Sequence, residues 1–400
     1  MAEFLKMPIS KLLPLNLKSV DSNNPNLSPE ATFLQNNPDF NKLIFPNNPN
    51  QVYKFDSKLF KTDFTELCIL GASKYAVKSF KHSPSSNILA IKFLPIPHNR
   101  HGTDEDQSRR LLELVREIKN IRSLSHVPNV VNCYGVCLYE NQALICMEQM
   151  DLSLKEVYVK VHEQNGTFPE EFLACIVIAM LNALIACKAQ QVIHRDIKPD
   201  NVLLRRNGEI KLSDFGEARI LEDSLASTFT GTLCYWPPER FEVENEATEN
   251  SQIEDQQKNE ATENDQIEGQ QVENQTTQST TSTNKKYDVR ADIWSLGIVL
   301  IEIATGSVPY KDRKGNVPNN IILLQNLILN LDSNKVVEEA FPVGSFSDET
   351  REFIRLCLNK VKSRPKYDGL KQTRFYQKYG SISYQNQNNI VEKWLQSYKL

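Results

Sequence analysis

Four hundred residues, 40% of them hydrophobic and 24% charged, are enough for one large globular domain or two small ones with real cores, and the formal net charge is -4. Eleven acids against one lysine fall between Glu242 and Glu273, so the remainder is mildly basic; it carries no dense Lys/Arg stripe, and nucleic acid is not an expected partner. The eight cysteines form no C-x-x-C pair and no Cys/His cluster at zinc spacing, which fits reduced thiols in a cytosolic or nuclear protein.

The opening "MAEFLKMPISKLLPLNL" has no apolar core of secretory-signal length. Residues 1–63 are rich in Asn and Pro ("SNNPNLSP", "NNPDFNKLIFPNNPNQ") and keep no period, which predicts a disordered arm. Inside it, over residues 6–17, Lys6 and Lys11 precede alternating Leu13, Leu15 and Leu17. That pattern suits an extended peptide in a groove, with acids meeting the lysines and pockets taking the leucines. Order is expected from Phe64. From "ELCILGASKYAVKSF" to "NILAIKFLPIP" short apolar runs are broken by Gly, Pro or Ser, as in hairpin-linked strands. "SRRLLELVREIKNIRSL" carries apolar residues at helical spacing, and "NVVNCYGVCLY" and "QALICMEQM" return to strand-like runs.

From Ser153 onward helical patterns dominate, over Phe172–Gln190, Asp292–Thr305 and Glu349–Asn359, with a short strand pair around "NVLLRRNGEIKLSDF". The longest apolar run, Phe172 to Cys187, falls short of the roughly 18 residues of a membrane span and is interrupted by Asn182, so it predicts a buried helix. Residues 242–286 form an insert in which "NEATENSQIEDQQK" is followed at once by "NEATENDQIEGQQV". Two copies are fewer than the about three a solenoid needs, and the composition is too polar to bury a core. The tail, 380–400, sets Ile390, Val391, Trp394, Leu395 and Tyr398 on one helical face, a stripe better suited to packing on its own domain than to a partner. The expected class is α+β: a small β-rich lobe with one helix, then a larger helical lobe.

"IHRDIKPDNVLL" (Ile193–Leu204) followed by "LSDFGEA" joins H-R-D-x-x-x-x-N to D-F-G across a strand-turn-strand, the order of a protein-kinase catalytic loop and metal site. Phosphoryl transfer needs strict charge placement more than covalent chemistry, and each residue type meets a need. Asp196 can accept the proton of a substrate hydroxyl, Lys198 can neutralise the transferred group, and Asn201 and Asp214 are oxygen donors suited to Mg²⁺. Upstream, Lys92 in "LAIKF" stands where a strand lysine would hold the phosphates of ATP, and Glu117 in "VREIKNI" lies on the helix that would pair with it.

Taken together these motifs are identified as those of a eukaryotic protein kinase over residues 64–379, the insert apart. "CMEQMDLSL", "YDVRADIWSLGIVLIEIATGSVPY" and "LCLNKVKSRPKY" most resemble the MAP kinase kinase family, with "RPKY" and "MDLSL" leaning toward its stress-activated branch. The resemblance implies a bilobal kinase fold, ATP and Mg²⁺ as cofactors, a MAP kinase as substrate, an upstream MAP kinase kinase kinase and a cytoplasmic location with access to the nucleus. It implies that Met147 guards the nucleotide pocket, that Glu148 and Met150 offer hinge backbone groups to adenine, and that Leu70, Val77, Ala90 and Leu203 sandwich the base. Ordinary core packing is the competing reading for each of these apolar residues. Asp292 would brace the catalytic-loop backbone and Glu239 of "PPE" would pair with Arg364, both structural supports. The segment at 6–17 resembles the family's docking peptide.

Two features depart from the family pattern. In "LGASKYAV" Gly71 and Val77 remain, but Ser73 and Ala76 replace the second and third glycines and Tyr75 sits at the tip, which predicts weakened ATP affinity because a Cβ impedes backbone N–H approach to phosphate. "EAR" follows D-F-G where the family has a small pair. In "DSLAST" Ser224 and Thr228 stand four apart between D-F-G and "PPE", and resemble the paired activation phosphosites, with Arg195 as the cation a new phosphate would meet. Two rivals fit part of the sequence: a Ser/Thr kinase with other substrates, which would show the same Lys198 and Thr232, and a pseudokinase scaffold, suggested by the thinned glycine loop.

Overall fold

The computed structural model describes residues 40–72, 75–95, 118, 121–125, 127–140, 142–215, 230–241, 288–312 and 314–400. They fall into two units: residues up to 125 together with 131–149, and residues 127–130 together with 150–400. The docking segment 6–17, Glu117, Ser224, Thr228 and the insert lie outside the described residues.

In the small unit, β3 (Phe64–Ala72), β4 (Ala76–His82), β5 (Asn87–Pro95), β6 (Cys133–Tyr139) and β7 (Gln142–Glu148) form an antiparallel sheet in the order β3-β4-β5-β7-β6. Alternation along the strands gives the sheet two faces. One face carries Ala90 and Lys92 on β5, paired with Met147 and Ile145 on β7. The other carries Phe80, Leu89, Ile91, Leu144 and Cys146, all buried.

What buries that second face is chain ahead of Phe64. β1 (Lys42–Ile44) and β2 (Val52–Lys54) pair as a hairpin, followed by a 3-10 turn at Ser57–Leu59 and a helical turn at Phe60–Asp63. Leu43, Phe45 and Phe60 enter the core, with Tyr53 and Phe55 packed against it. Asn41 fastens the hairpin to the edge strand β6: its N–H donates to Val136 O at 2.9 Å and its Oδ1 accepts from Leu138 N–H at 2.8 Å. The approach is close enough that a Cβ on Gly135 would lie 2.1 Å from Lys42 O. The expectation of a disordered arm through residue 63 therefore fails for residues 40–63. Asn/Pro richness reported the turns and missed five apolar side chains, spaced irregularly, that become useful only against a sheet face.

The large unit is built on two helices apolar on all sides. These are α2 (Glu170–Ala189), which follows α1 (Leu154–Glu163), and α3 (Arg290–Thr305). A helix apolar on every face belongs inside a core. Among the described residues α2 is also the one helix long and apolar enough to cross a membrane, and most of it is buried within this unit. Between them in sequence, β9 (Val202–Leu204) and β10 (Ile210–Leu212) form a hairpin, extended by the short β8 (Leu152–Ser153) into a sheet ordered β10-β9-β8. The chain continues through α4 (Ile321–Leu329), α5 (Ser333–Ala340), α6 (Asp348–Cys357), α7 (Arg374–Gly380) and α8 (Tyr384–Ser397). On α8 the Trp394 ring packs at a tilt, its centre 4.0 Å from that of Phe172 and 4.8 Å from that of Phe168, while Val391 and Leu395 are fully buried. The tail's apolar stripe is thus packed on α2.

Candidate active site

The segment from His194 to Lys198, ahead of a 3-10 turn at Pro199–Asn201, forms neither strand nor helix, so side chains hold it. Asp292, buried in the first turn of α3, accepts from the N–H of His194 at 3.0 Å and of Arg195 at 2.7 Å. Those bonds keep Arg195 at φ 66°, a left-handed conformation costly for a residue with a Cβ. Burial pushes the Asp292 carboxyl upward, and the charges of His194 and Arg195 and the two N–H donors oppose that push. His194 itself is buried, its Nε2 2.9 Å from Ser213 O and its ring 4.9 Å from Phe215. Ser213 in turn donates its N–H and its hydroxyl to Asn201 O at 2.9 and 3.1 Å. The D-F-G strand and the catalytic loop are therefore one hydrogen-bonded body.

On that body the polar groups converge. Lys198 Nζ donates to Asp196 Oδ2 at 2.7 Å and to Thr232 Oγ1 at 3.4 Å. Asn201 Nδ2 donates to both Asp196 O and Asp196 Oδ2 at 2.8 Å. Asp196 is buried and Lys198 partly exposed, so the ammonium lies at the surface over a carboxylate just beneath it. Both Asn201 contacts use the amide nitrogen, which leaves the amide oxygen for a hard cation. Asp214 follows at φ 62°, a second left-handed residue in the same loop system. These two oxygen donors fit a divalent metal, which would neutralise phosphate charge when bound.

The structure brings together Asp196, Lys198, Asn201, Thr232, Asp292 and Arg195. Further out, buried Arg364 forks onto Glu239 at 2.7 and 3.2 Å and also donates to Asn359 O and Arg290 O. Every donor of that guanidinium that is placed serves the frame around "PPE" rather than chemistry. Met150 is buried in this unit, and Leu203 lies half-buried on β9 opposite Lys211 and Ser153.

In the small unit Lys92 sits mid-strand on β5, buried, opposite Val77 and Ile145. Its Nζ lies 5.5 Å from the centre of the Tyr75 ring, a cation–π distance. The bulky residue at the loop tip thus lies over the strand lysine. Ala90 pairs with Met147, and Glu148 at the end of β7 accepts from Asn132 N–H at 2.7 Å while its own N–H donates to Asn132 O. Leu70 is exposed, and a Cβ at Gly71 would meet nothing within 4 Å, so the remaining glycine borders open space. His194 and Ser213 were not singled out by sequence. His194 stood inside the H-R-D motif, whereas the contact of Ser213 depends on a strand pairing that no spacing announces.

The protein kinase domain model matches residues 64–253 and 279–376. The dual specificity mitogen-activated protein kinase kinase sek-1 of Caenorhabditis elegans is 32% identical over 317 residues, 77% of each chain. The chain belongs to the MAP kinase kinase family of protein kinases. MAP kinase kinase mkk-4 of the same organism is 29% identical over 344 residues, covering 84% of this chain and 78% of the relative. Dual specificity mitogen-activated protein kinase kinase 7 of Homo sapiens is 30% identical over 306 residues, 74% of this chain and 58% of the relative. This kinase falls on the stress-activated side of the family, as "RPKY" and "MDLSL" suggested, and its fold is the bilobal α+β kinase fold. The family model starts at Phe64, so the hairpin over the small sheet lies outside it.

Proposed function

We propose that this kinase uses ATP and Mg²⁺ to phosphorylate both Thr and Tyr in the activation loop of a MAP kinase, and that an upstream kinase switches it on at Ser224 and Thr228. The observation that carries the reading is the Asp196–Lys198–Asn201 cluster, rigidly backed by Asp292. The Asp196 carboxylate receives the hydroxyl proton as the substrate oxygen becomes nucleophilic. Lys198, already 2.7 Å from that carboxylate, holds it in place and offers positive charge to the group in transfer. Asn201 and Asp214 would hold the metal, and Lys92 the nucleotide phosphates, Glu117 fixing that lysine. The likeness to sek-1, whose name states dual specificity, supports the pair of acceptors. A cytoplasmic location with access to the nucleus goes with this role.

The test offers a panel of kinase-dead MAP kinases to the Ser224→Glu/Thr228→Glu protein with ATP and Mg²⁺. Phosphate on both Thr and Tyr, abolished by Asp196→Ala with nucleotide binding kept, is the expected result. Transfer to generic peptides but to no MAP kinase would favour the Ser/Thr kinase with other substrates, and nucleotide binding with no Asp196-dependent transfer would favour the scaffold. Separately, Ser224→Ala/Thr228→Ala should bind nucleotide as the parent does and resist activation by an upstream kinase.

A further inference from the structure

The strand ladder of the small unit brings an aromatic ring onto the lysine that phosphate must reach. β3 and β4 pair as far as Ala72 opposite Ala76, which leaves Tyr75 as the residue entering β4. Two residues on, Val77 stands directly opposite Lys92 of β5. Residues two apart along a strand share a face, so Tyr75 is carried toward the side of the sheet on which Lys92 lies. The 5.5 Å separation between Lys92 Nζ and the centre of the Tyr75 ring follows. Lys78, next along β4, takes the opposite face, where it pairs with Glu66 at 2.9 Å.

Lys92 is buried, and a buried ammonium is costly unless electron-rich groups face it. A ring face meets that need through its quadrupole, whereas a phosphate oxygen carries charge and accepts a hydrogen bond from the ammonium. The two cannot occupy the same side of Nζ at once. Tyr75 is half-buried where the turn ends, Leu70 on β3 is exposed, and a Cβ on Gly71 would meet nothing within 4 Å. Among the described residues there is therefore room for the ring to leave the lysine.

We propose that Tyr75 gates the phosphate site: in the nucleotide-free kinase its ring holds Lys92, and a nucleotide bearing phosphates binds only as the ring lifts away. Adenosine makes no demand on Lys92 and does not meet the gate. Apparent affinity for phosphate then falls in proportion to the fraction of molecules in which the ring has lifted. Ser73 and Ala76 were expected to weaken ATP binding by obstructing backbone N–H groups, whereas Tyr75 acts on the lysine, so the two effects are separable. The inference rests on the reading of Lys92 as the residue that holds the nucleotide phosphates.

The experiment measures binding of ADP and of adenosine to the full chain with Mg²⁺ present, by isothermal titration calorimetry. Tyr75→Ala should tighten ADP about fivefold, a factor within reach of one cation–π contact, and leave adenosine within about twofold of the parent. Tyr75→Phe, which keeps the ring and removes the hydroxyl, should bind both as the parent does. In a Lys92→Met background, Tyr75→Ala should no longer change ADP binding, because the pair that couples the two positions is gone. ADP unchanged or weakened in Tyr75→Ala, or ADP and adenosine tightened alike, would overturn the gate, with folding verified by thermal melts. Lys92→Met alone reports on the underlying reading: it should weaken ADP and spare adenosine. ADP bound as tightly as by the parent would overturn that reading and the gate with it, whatever Tyr75→Ala shows.

Discussion

Asp292 shows how one buried carboxylate sets the chemistry of residues far along the chain. Its two oxygens each take one N–H, from His194 and Arg195, and both are needed because Arg195 is held at a positive φ. Asparagine at this position keeps one acceptor and presents an NH₂ where an acceptor was, so one loop N–H is left buried and opposed. Leaving a buried donor unmade costs about 1–3 kcal/mol. Asp292→Asn is therefore expected to lower thermal stability by several degrees and kcat by about a hundredfold, the loop relaxing and Asp196 turning away from the acceptor. Circular dichroism melts and steady-state kinetics would check both, and an unchanged kcat would show that the loop holds its shape without the brace. The H-R-D and D-F-G motifs made Asp196, Asn201 and Asp214 legible because their roles need particular atoms at particular sequence offsets. Ser213 and the hydrogen bonds of Tyr158 and Tyr235 to Glu302 were not legible, since each is defined by a partner brought close only by folding, Ser213 by Asn201 and the phenols by a carboxylate 144 and 67 positions away.

At the scale of elements, helices announced themselves more clearly than the arm did. Continuous apolar sequence over α2 and α3 is sufficient to demand burial, whatever the partners. The hairpin β1–β2 carries no such signal: each strand has three residues, and its apolar side chains have value only against the sheet face bearing Phe80, Leu89 and Ile91. That face would otherwise present Phe64 and Phe80 to water. Phe45 is fully buried, 5.0 Å from Tyr134, 5.6 Å from Tyr53 and 5.4 Å from His82. Phe45→Ala should cost about 3–5 kcal/mol of small-unit stability, the usual loss for a buried Phe. Gly135→Ala attacks the same contact from the sheet side, because its methyl would collide with Lys42 O. Hydrogen exchange is the direct measurement: in both variants the amides of Asn41 and Leu138 should lose protection while α2 keeps its own. Protection unchanged at Leu138 would mean that the hairpin is not what covers the β6 edge.

For the molecule as a whole, the response to acid follows from a carboxylate that ties three distant parts of the large unit together. Glu170, in the first turn of α2, accepts from the N–H and hydroxyl of Ser347 at 2.7 and 2.9 Å, from Lys378 Nζ at 3.1 Å and from Tyr379 Oη at 2.5 Å. Burial alone would raise its carboxyl, but hydrogen bonds from Tyr379, Ser347 and Lys378 prevail and hold it down to about 2. The unfolded chain, lacking those donors, protonates near the ordinary 4.5. Stability from this group is therefore complete above the unfolded value, declines as pH falls from there, and is gone below the folded value. The displacement from 4.5 to about 2, at about 1.4 kcal/mol per pH unit, gives about 3.5 kcal/mol, which solvent screening reduces to about 2–3 kcal/mol. Glutamine at 170 keeps the shape and an acceptor oxygen but has no charge to lose. At neutral pH Glu170→Gln should be less stable than the parent by that amount in urea titration, and the gap should close steadily between about pH 4.5 and 2, because a protonated Glu170 and a Gln are near equivalents. Other carboxylates titrate in both proteins and cancel in the difference. A gap that stays constant over that range would assign the contribution of Glu170 to packing, whereas a closing gap places in one residue the link between α2, the start of α6 and the end of α7.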